Sequence, residues 1–141
     1  MAKSNPASGI REIKNGNVLL AVFYSKIIKA DGATFLTPEE FSLQVGILEH
    51  PDGKEVALHA HPEQPRRIRA TEEFLYVEKG EVEVTVASAD WRPVETLTLT
   101  SGDSILFVSG AHGMKIKPGS RLIEVKQGPY PGKANAKKFQ K

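Results

Sequence analysis

His59 and His61 stand one residue apart, and Glu73 and Gly80 follow downstream. A β-strand points alternate side chains to opposite faces, so an H-x-H pair on a strand sends both imidazoles the same way. If that face is the inside of a barrel, two ring nitrogens can meet a carboxylate carried in by the next strand. Two imidazoles and a carboxylate make half of a mononuclear metal site, and burying them without an ion or partner would be costly. His112, after Gly110, is the only histidine further downstream. His50 lies beside Pro51 in a turn signal and is read as structural.

These residues carry a resemblance to the cupin superfamily. Its first motif resembles H-x-H followed by E-x6-G, matched by His59, His61, Glu73 and Gly80. Its second resembles the run GDSILFVSGAH, with Gly102, Gly110 and His112 in the motif positions. The chain departs from the pattern in three places. Eleven residues separate His61 from Glu73, a longer gap than the family's. Val108 stands where a proline is usual, and His112 arrives one residue early. A narrower likeness lies in Arg66, Ile68, Thr71 and Glu73 (R-x-I-x-x-T-x-E), in SGAHG and in EVKQGPY. These runs resemble small cupins described as mannose-6-phosphate-isomerase-like and often encoded among surface-polysaccharide genes. The likeness spans Gln44 to Tyr130.

The resemblance implies a divalent transition metal on His59, His61, Glu73 and His112. Fe, Mn, Ni, Zn and Cu all suit such a set, and the ligand types do not choose among them. Four protein ligands leave positions on the ion where a substrate oxygen could be polarised. In some similar sugar isomerases and epimerases, barrel histidines act directly as acid and base, without metal.

Arg66, Arg67 and Arg69 fall in the long gap, at the expected mouth of the barrel. Guanidinium groups match phosphate or carboxylate oxygens with paired hydrogen bonds, so an anionic small molecule is the expected ligand. Arg66 and Arg67, with Gln44, are the candidate substrate-binding residues. No residue beyond the metal set stands out as a catalytic acid or base.

The elements that must position these groups read as short strands. Asn15-Gly16 is a hairpin turn between Ile10–Ile13 and Val18–Tyr24. Thr37-Pro38-Glu39-Glu40 resembles a helix start, but no apolar periodicity follows, so one helical turn is expected. Phe41–His50 and Glu55–His61 read as strands, the second bearing the histidine pair. Glu73–Lys79 and Glu81–Ser88 pair about Gly80, and Val82, Val84 and Val86 alternate with polar residues. Glu95–Thr100, Ser104–Val108, Met114–Lys117 and Arg121–Lys126 complete the set. Such spacing predicts an all-β sandwich or barrel. With the cupin likeness it implies a double-stranded β-helix (a jelly roll) holding at most short helical turns. The expected organisation is a loose arm over 1–9, a barrel domain over 10–132 and a basic tail over 133–141.

The 141 residues suffice for one domain with a real core. A net charge of +2 is too small to argue for nucleic acid or membrane as a partner. With no cysteine, disulfides and thiolate ligands are excluded. The longest apolar run, Val18–Tyr24, is too short to span a bilayer as a helix. No apolar signal segment opens the chain, so a cytoplasmic protein is expected. The expected role is a metal-binding isomerase- or epimerase-type enzyme, and the expected state is a homodimer. A metal-dependent dioxygenase and a non-catalytic binding or sensing protein are the alternatives.

Overall fold

The computed structural model describes residues 8–141, and of the expected arm over 1–9 all but the last two residues lie outside this range. The protein is all-β. Its strands are β1 (Ile10–Asn15), β2 (Val18–Tyr24), β3 (Gly32–Phe35), β4 (Gly46–Glu49), β5 (Glu73–Lys79), β6 (Glu81–Ala87), β7 (Pro93–Thr100), β8 (Ser104–Phe107), β9 (Ala111–Ile116) and β10 (Arg121–Lys126). The basic tail holds one helical turn, α1 (Lys133–Ala136), with no buried residue. Among the described residues, no helix is long and apolar enough to cross a membrane.

The strands form three antiparallel layers. A central sheet runs β1-β2-β8-β5-β10, a second sheet runs β7-β6-β9, and β3 pairs with β4. The central sheet is covered on both faces, which explains why β2 (VLLAVFY) and β8 (SILF) are apolar without alternation. On the inner face Leu20, Leu75, Val77, Ile105 and Phe107 pack against Val82, Val84, Val86 and Leu99. On the outer face Val22, Tyr24 and Leu106 pack beneath Leu36, Phe41, Val45 and Ile47. The strand β6 touches apolar neighbours on one face only, and its burial alternates as its sequence does.

Two glycines set the turns that aim the inner face. Gly80 joins β5 to β6 at φ +87°, and a Cβ there would collide with the backbone and side chain of Ser120. Gly110 precedes β9 at φ +73°, where a Cβ would strike the Ala87 carbonyl and Leu20. Both positions demand a residue without a side chain.

The sheets do not close into a complete barrel. Along one side β1 approaches β7, and Arg11 forms an ion pair with Glu95 across the gap. Along the other side β9 and β10 are both edge strands. The expected strand over Glu55–His61 is not formed: residues 54–69 carry no regular secondary structure. All of 51–70 is exposed, including both faces of the histidine-bearing stretch. Alternation supplies a pattern suited to a strand, but a strand exists only through hydrogen bonds to a neighbour, and this segment has none.

The expected strand over Phe41–His50 shortens to β4, because the chain before it is folded on itself. Gln44 Nε2 donates to the carbonyls of Pro38 (2.9 Å) and Phe41 (2.8 Å). Thr37 Oγ1 donates to Gln44 Oε1 (3.1 Å) and accepts from the Val45 N–H (3.1 Å). The helix start expected at Thr37 is therefore a bend and turn, closed by the Phe41 N–H donating to the Pro38 carbonyl (3.1 Å).

Candidate functional site

Glu73 opens β5, opposite Phe107 of β8 on one side and Lys126 of β10 on the other. His112 lies on β9, opposite Val86 of β6. Residues opposite one another in a sheet share a face, so both groups turn toward the inner core. There they meet across the gap between the two sheets, with His112 Nε2 3.2 Å from Glu73 Oε2. The imidazole lies flat on the Phe107 ring, with centroids 3.7 Å apart and planes within 8°. That stacking fixes the ring plane and aims its edge at the carboxylate. The hydrogen bond from His112 holds the Glu73 carboxyl below its ordinary range. Burial opposes this lowering, and Glu124, the charge on His112 and Lys126 add to it.

Glu124 and Lys126 extend this cluster. They sit opposite Leu75 and Glu73 in the β10–β5 register and form an ion pair of 3.3 Å. Sequence reasoning missed both as chemical groups, although they lie in the EVKQGPY run. The signal available was parity: Ile123 and Val125 alternate with Glu124 and Lys126, so one face of this strand must carry charge.

His59 and His61 are on the exposed segment, apart from Glu73 and His112. Their rings stand edge to face with centroids 5.2 Å apart. His59 Nδ1 lies 2.8 Å from the Ala57 carbonyl, which can only accept, so Nδ1 carries the proton. In the neutral ring this tautomer leaves the lone pair on Nε2, the form a metal ligand needs. Among the described residues, no group of three or more His, Asp or Glu side chains is placed to hold an ion. The four candidate ligands are thus divided into two pairs.

Arg66, Arg67 and Arg69 occupy the same exposed segment. Gln44 lies elsewhere, its amide engaged by the carbonyls of its own loop, beside Phe74 and Val125 on the outer side of the central sheet. Tyr76 also faces outward and lines a cavity of about 330 Å³ between the central sheet and β3–β4. Tyr24, Lys26, Glu49 and Ser104 line it too, while the Glu73–His112 pair belongs to the opposite face. His50 closes a turn, its carbonyl accepting from the Gly53 N–H at 2.8 Å.

Comparison with protein-family models, with curated proteins and with solved structures returned no match.

Proposed function

We propose that this chain is a cupin-like, metal-binding enzyme of the isomerase or epimerase type, acting on a small anionic or carbohydrate-derived substrate. The observation that carries the reading is the Glu73–His112 pair, 3.2 Å apart on the inner face. It lies beside sheet edges that a histidine-bearing strand could extend. In this reading that carboxylate and imidazole, joined by the two imidazoles of residues 55–61, would suit a borderline divalent ion such as Fe(II), Mn(II), Ni(II), Cu(II) or Zn(II). In this reading the double-stranded β-helix is completed when residues 55–61 join the second sheet.

When bound, the ion would polarise a carbonyl or hydroxyl oxygen of the substrate. Arg66, with Arg67, binds the anionic group through paired hydrogen bonds. In this reading Glu124 and Lys126, opposite Leu75 and Glu73 on β10, would accept and return a proton at a neighbouring carbon. Phe107 holds the His112 ring in plane.

Metal analysis of protein purified without added metal tests the reading directly. Close to one equivalent of a transition metal is expected in the wild type, with loss in His112→Ala and in the His59→Ala/His61→Ala double variant. A chain that neither retains an ion nor takes one up from micromolar Ni(II) or Mn(II) is not a metal-dependent enzyme.

A further inference from the structure

We propose that the outer face of the central sheet holds a small-molecule site, separate from the Glu73–His112 pair, for a monocarboxylic acid with a compact apolar body. The site is the cavity of about 330 Å³ between that sheet and β3–β4. It stands or falls independently of the metal-site reading.

The cavity exists because one layer is incompletely packed. A two-stranded layer, β3 and β4, lies over a five-stranded sheet. It is tied down where the Leu36 N–H donates to the Val45 carbonyl (2.8 Å) and the Ala30 N–H donates to Glu49 Oε2 (2.6 Å). Leu36, Val45, Ile47 and Phe74 pack against the buried outer core, yet all four stay only partly buried. Protein interiors seldom leave voids larger than a water molecule. A volume at the lower end of the roughly 300–1,000 Å³ of ligand pockets is space that a small molecule can fill.

Strand register builds the polar end. Tyr24 of β2 lies opposite Ser104 of β8, and Ser104 lies opposite Tyr76 of β5. Three hydroxyl-bearing side chains thus stand in one row on one face, and all three line the cavity. Tyr24 and Ser104 are only 3% and 8% exposed. Among the described residues no hydrogen bond takes up either hydroxyl, and neither oxygen is sealed from solvent, so their partners must come from the cavity. Leaving such groups unpaired is costly. Burial, then the charges of Glu72 and Glu12, push the Tyr24 hydroxyl up to about 12, so it remains a donor at working pH.

Lys26 supplies the charge. Its backbone N–H donates to Oδ1 of the buried Asp103 (2.9 Å). Its stem crosses Gly102, which has φ +95° and where an added Cβ would lie 3.0 Å from Lys26 Cβ. The ammonium donates to Thr100 Oγ1 (2.6 Å) and keeps two further protons to donate. Glu49 also lines the cavity, but its Oε2 already accepts the Ala30 N–H. Three hydroxyls and an ammonium can all donate to one carboxylate, and bonds of that kind are charge-assisted. A cationic ligand would instead meet Lys26. One lysine balances one negative charge, which suits a monocarboxylate better than a phosphate. The opposite wall, with Ile28, Leu36, Ile47 and Phe74, offers only apolar contact.

Amide NMR spectra of the isotope-labelled full chain, titrated with phenylacetate and with isocaproate, test the proposal. At least one acid should give saturable shifts centred on Lys26, Ile47, Gly102 and Ser104, with half-saturation below about 1 mM. Phenylacetamide, the neutral counterpart, should bind about tenfold more weakly or worse than phenylacetate. Acetate, which lacks the body, should not saturate. Tyr24→Phe/Ser104→Ala keeps the ring and the register and should weaken binding of the acid about tenfold or more. Lys26→Gln, at an exposed side chain, should narrow the gap between acid and amide, and it carries the test if the double variant fails to fold. No saturable shift with either acid would overturn the site, as would shifts centred on Glu73, His112 and residues 66–69. Equal binding of phenylacetate and its amide, or an unchanged gap in Lys26→Gln, would overturn the assignment of a carboxylate.

Discussion

Glu73 and His112 occupy the body of the protein, while His59 and His61 ride on a segment that touches almost nothing. The first pair is positioned by cross-strand register and by the Phe107 ring, all of it ordered when the sheets fold. The second pair lies on an exposed segment without regular secondary structure, so any docking of that segment would have to repay the conformational entropy lost there. The contrast shows that the fold joins one pair of the candidate residues and leaves the other pair apart from it. It also locates the energy: the core supports one half, and the ion would have to support the other.

The largest expected effect contrasts one leucine from each half. Leu75 shares a face with Glu73 and is 2% exposed within the inner core. Leu75→Ala should cost about 2–5 kcal/mol of unfolding free energy by urea denaturation. Leu58→Ala, in metal-free protein, should stay within about 0.5 kcal/mol of wild type. Comparable losses in both variants would show that the segment is packed in the metal-free protein, and the contrast between the halves would be gone.

A second variant probes what the segment brings. Arg66→Ala should weaken binding of inorganic phosphate to metal-loaded protein by about 1.5–3 kcal/mol, the range for hydrogen bonds to charged groups. Metal content should not change. Loss of the metal in this variant would make Arg66 part of the segment's structure, and unaltered phosphate binding would remove it from the ligand site.

The same division explains what is legible in the sequence. The alternation of Val82, Val84 and Val86 announces β6, and Asn15-Gly16 announces the β1–β2 hairpin, because both signals are local. Gly80 and Gly110 mark turns whose geometry admits no side chain. The convergence of Glu73 with His112 is what the cupin resemblance implies, and the register supplies the contact. By contrast, β3 hides behind Asp31-Gly32, which reads only as a turn, and its partner β4 begins where Gly46 meets the Phe35 ring. The loop before β4 depends on Gln44 reaching back to Pro38 and Phe41, a set of side-chain bonds that no periodicity encodes. At Glu55–His61 the pattern is present and the neighbour is not. Periodicity reports which face a strand would bury, and it carries no information about whether an edge is available to pair with.

The smallest expected effect concerns the preassembled half alone. In the folded protein the hydrogen bond from His112 lowers the Glu73 carboxyl below its ordinary value of 4.5. A carboxyl that ionises more readily when folded binds fewer protons in the native state than in the unfolded state over that interval. Its contribution is therefore present in full above the ordinary value of 4.5 and is lost as pH falls through the lowered native value. Metal-free wild-type protein should lose stability over this acid range more steeply than Glu73→Gln, measured by urea denaturation at a series of pH values. His112→Ala removes the same hydrogen bond from the other side and should flatten the profile in the same way. If both variants keep the wild-type slope, the two side chains do not interact in solution. The body would then hold them near one another without joining them, and the site would have no assembled half.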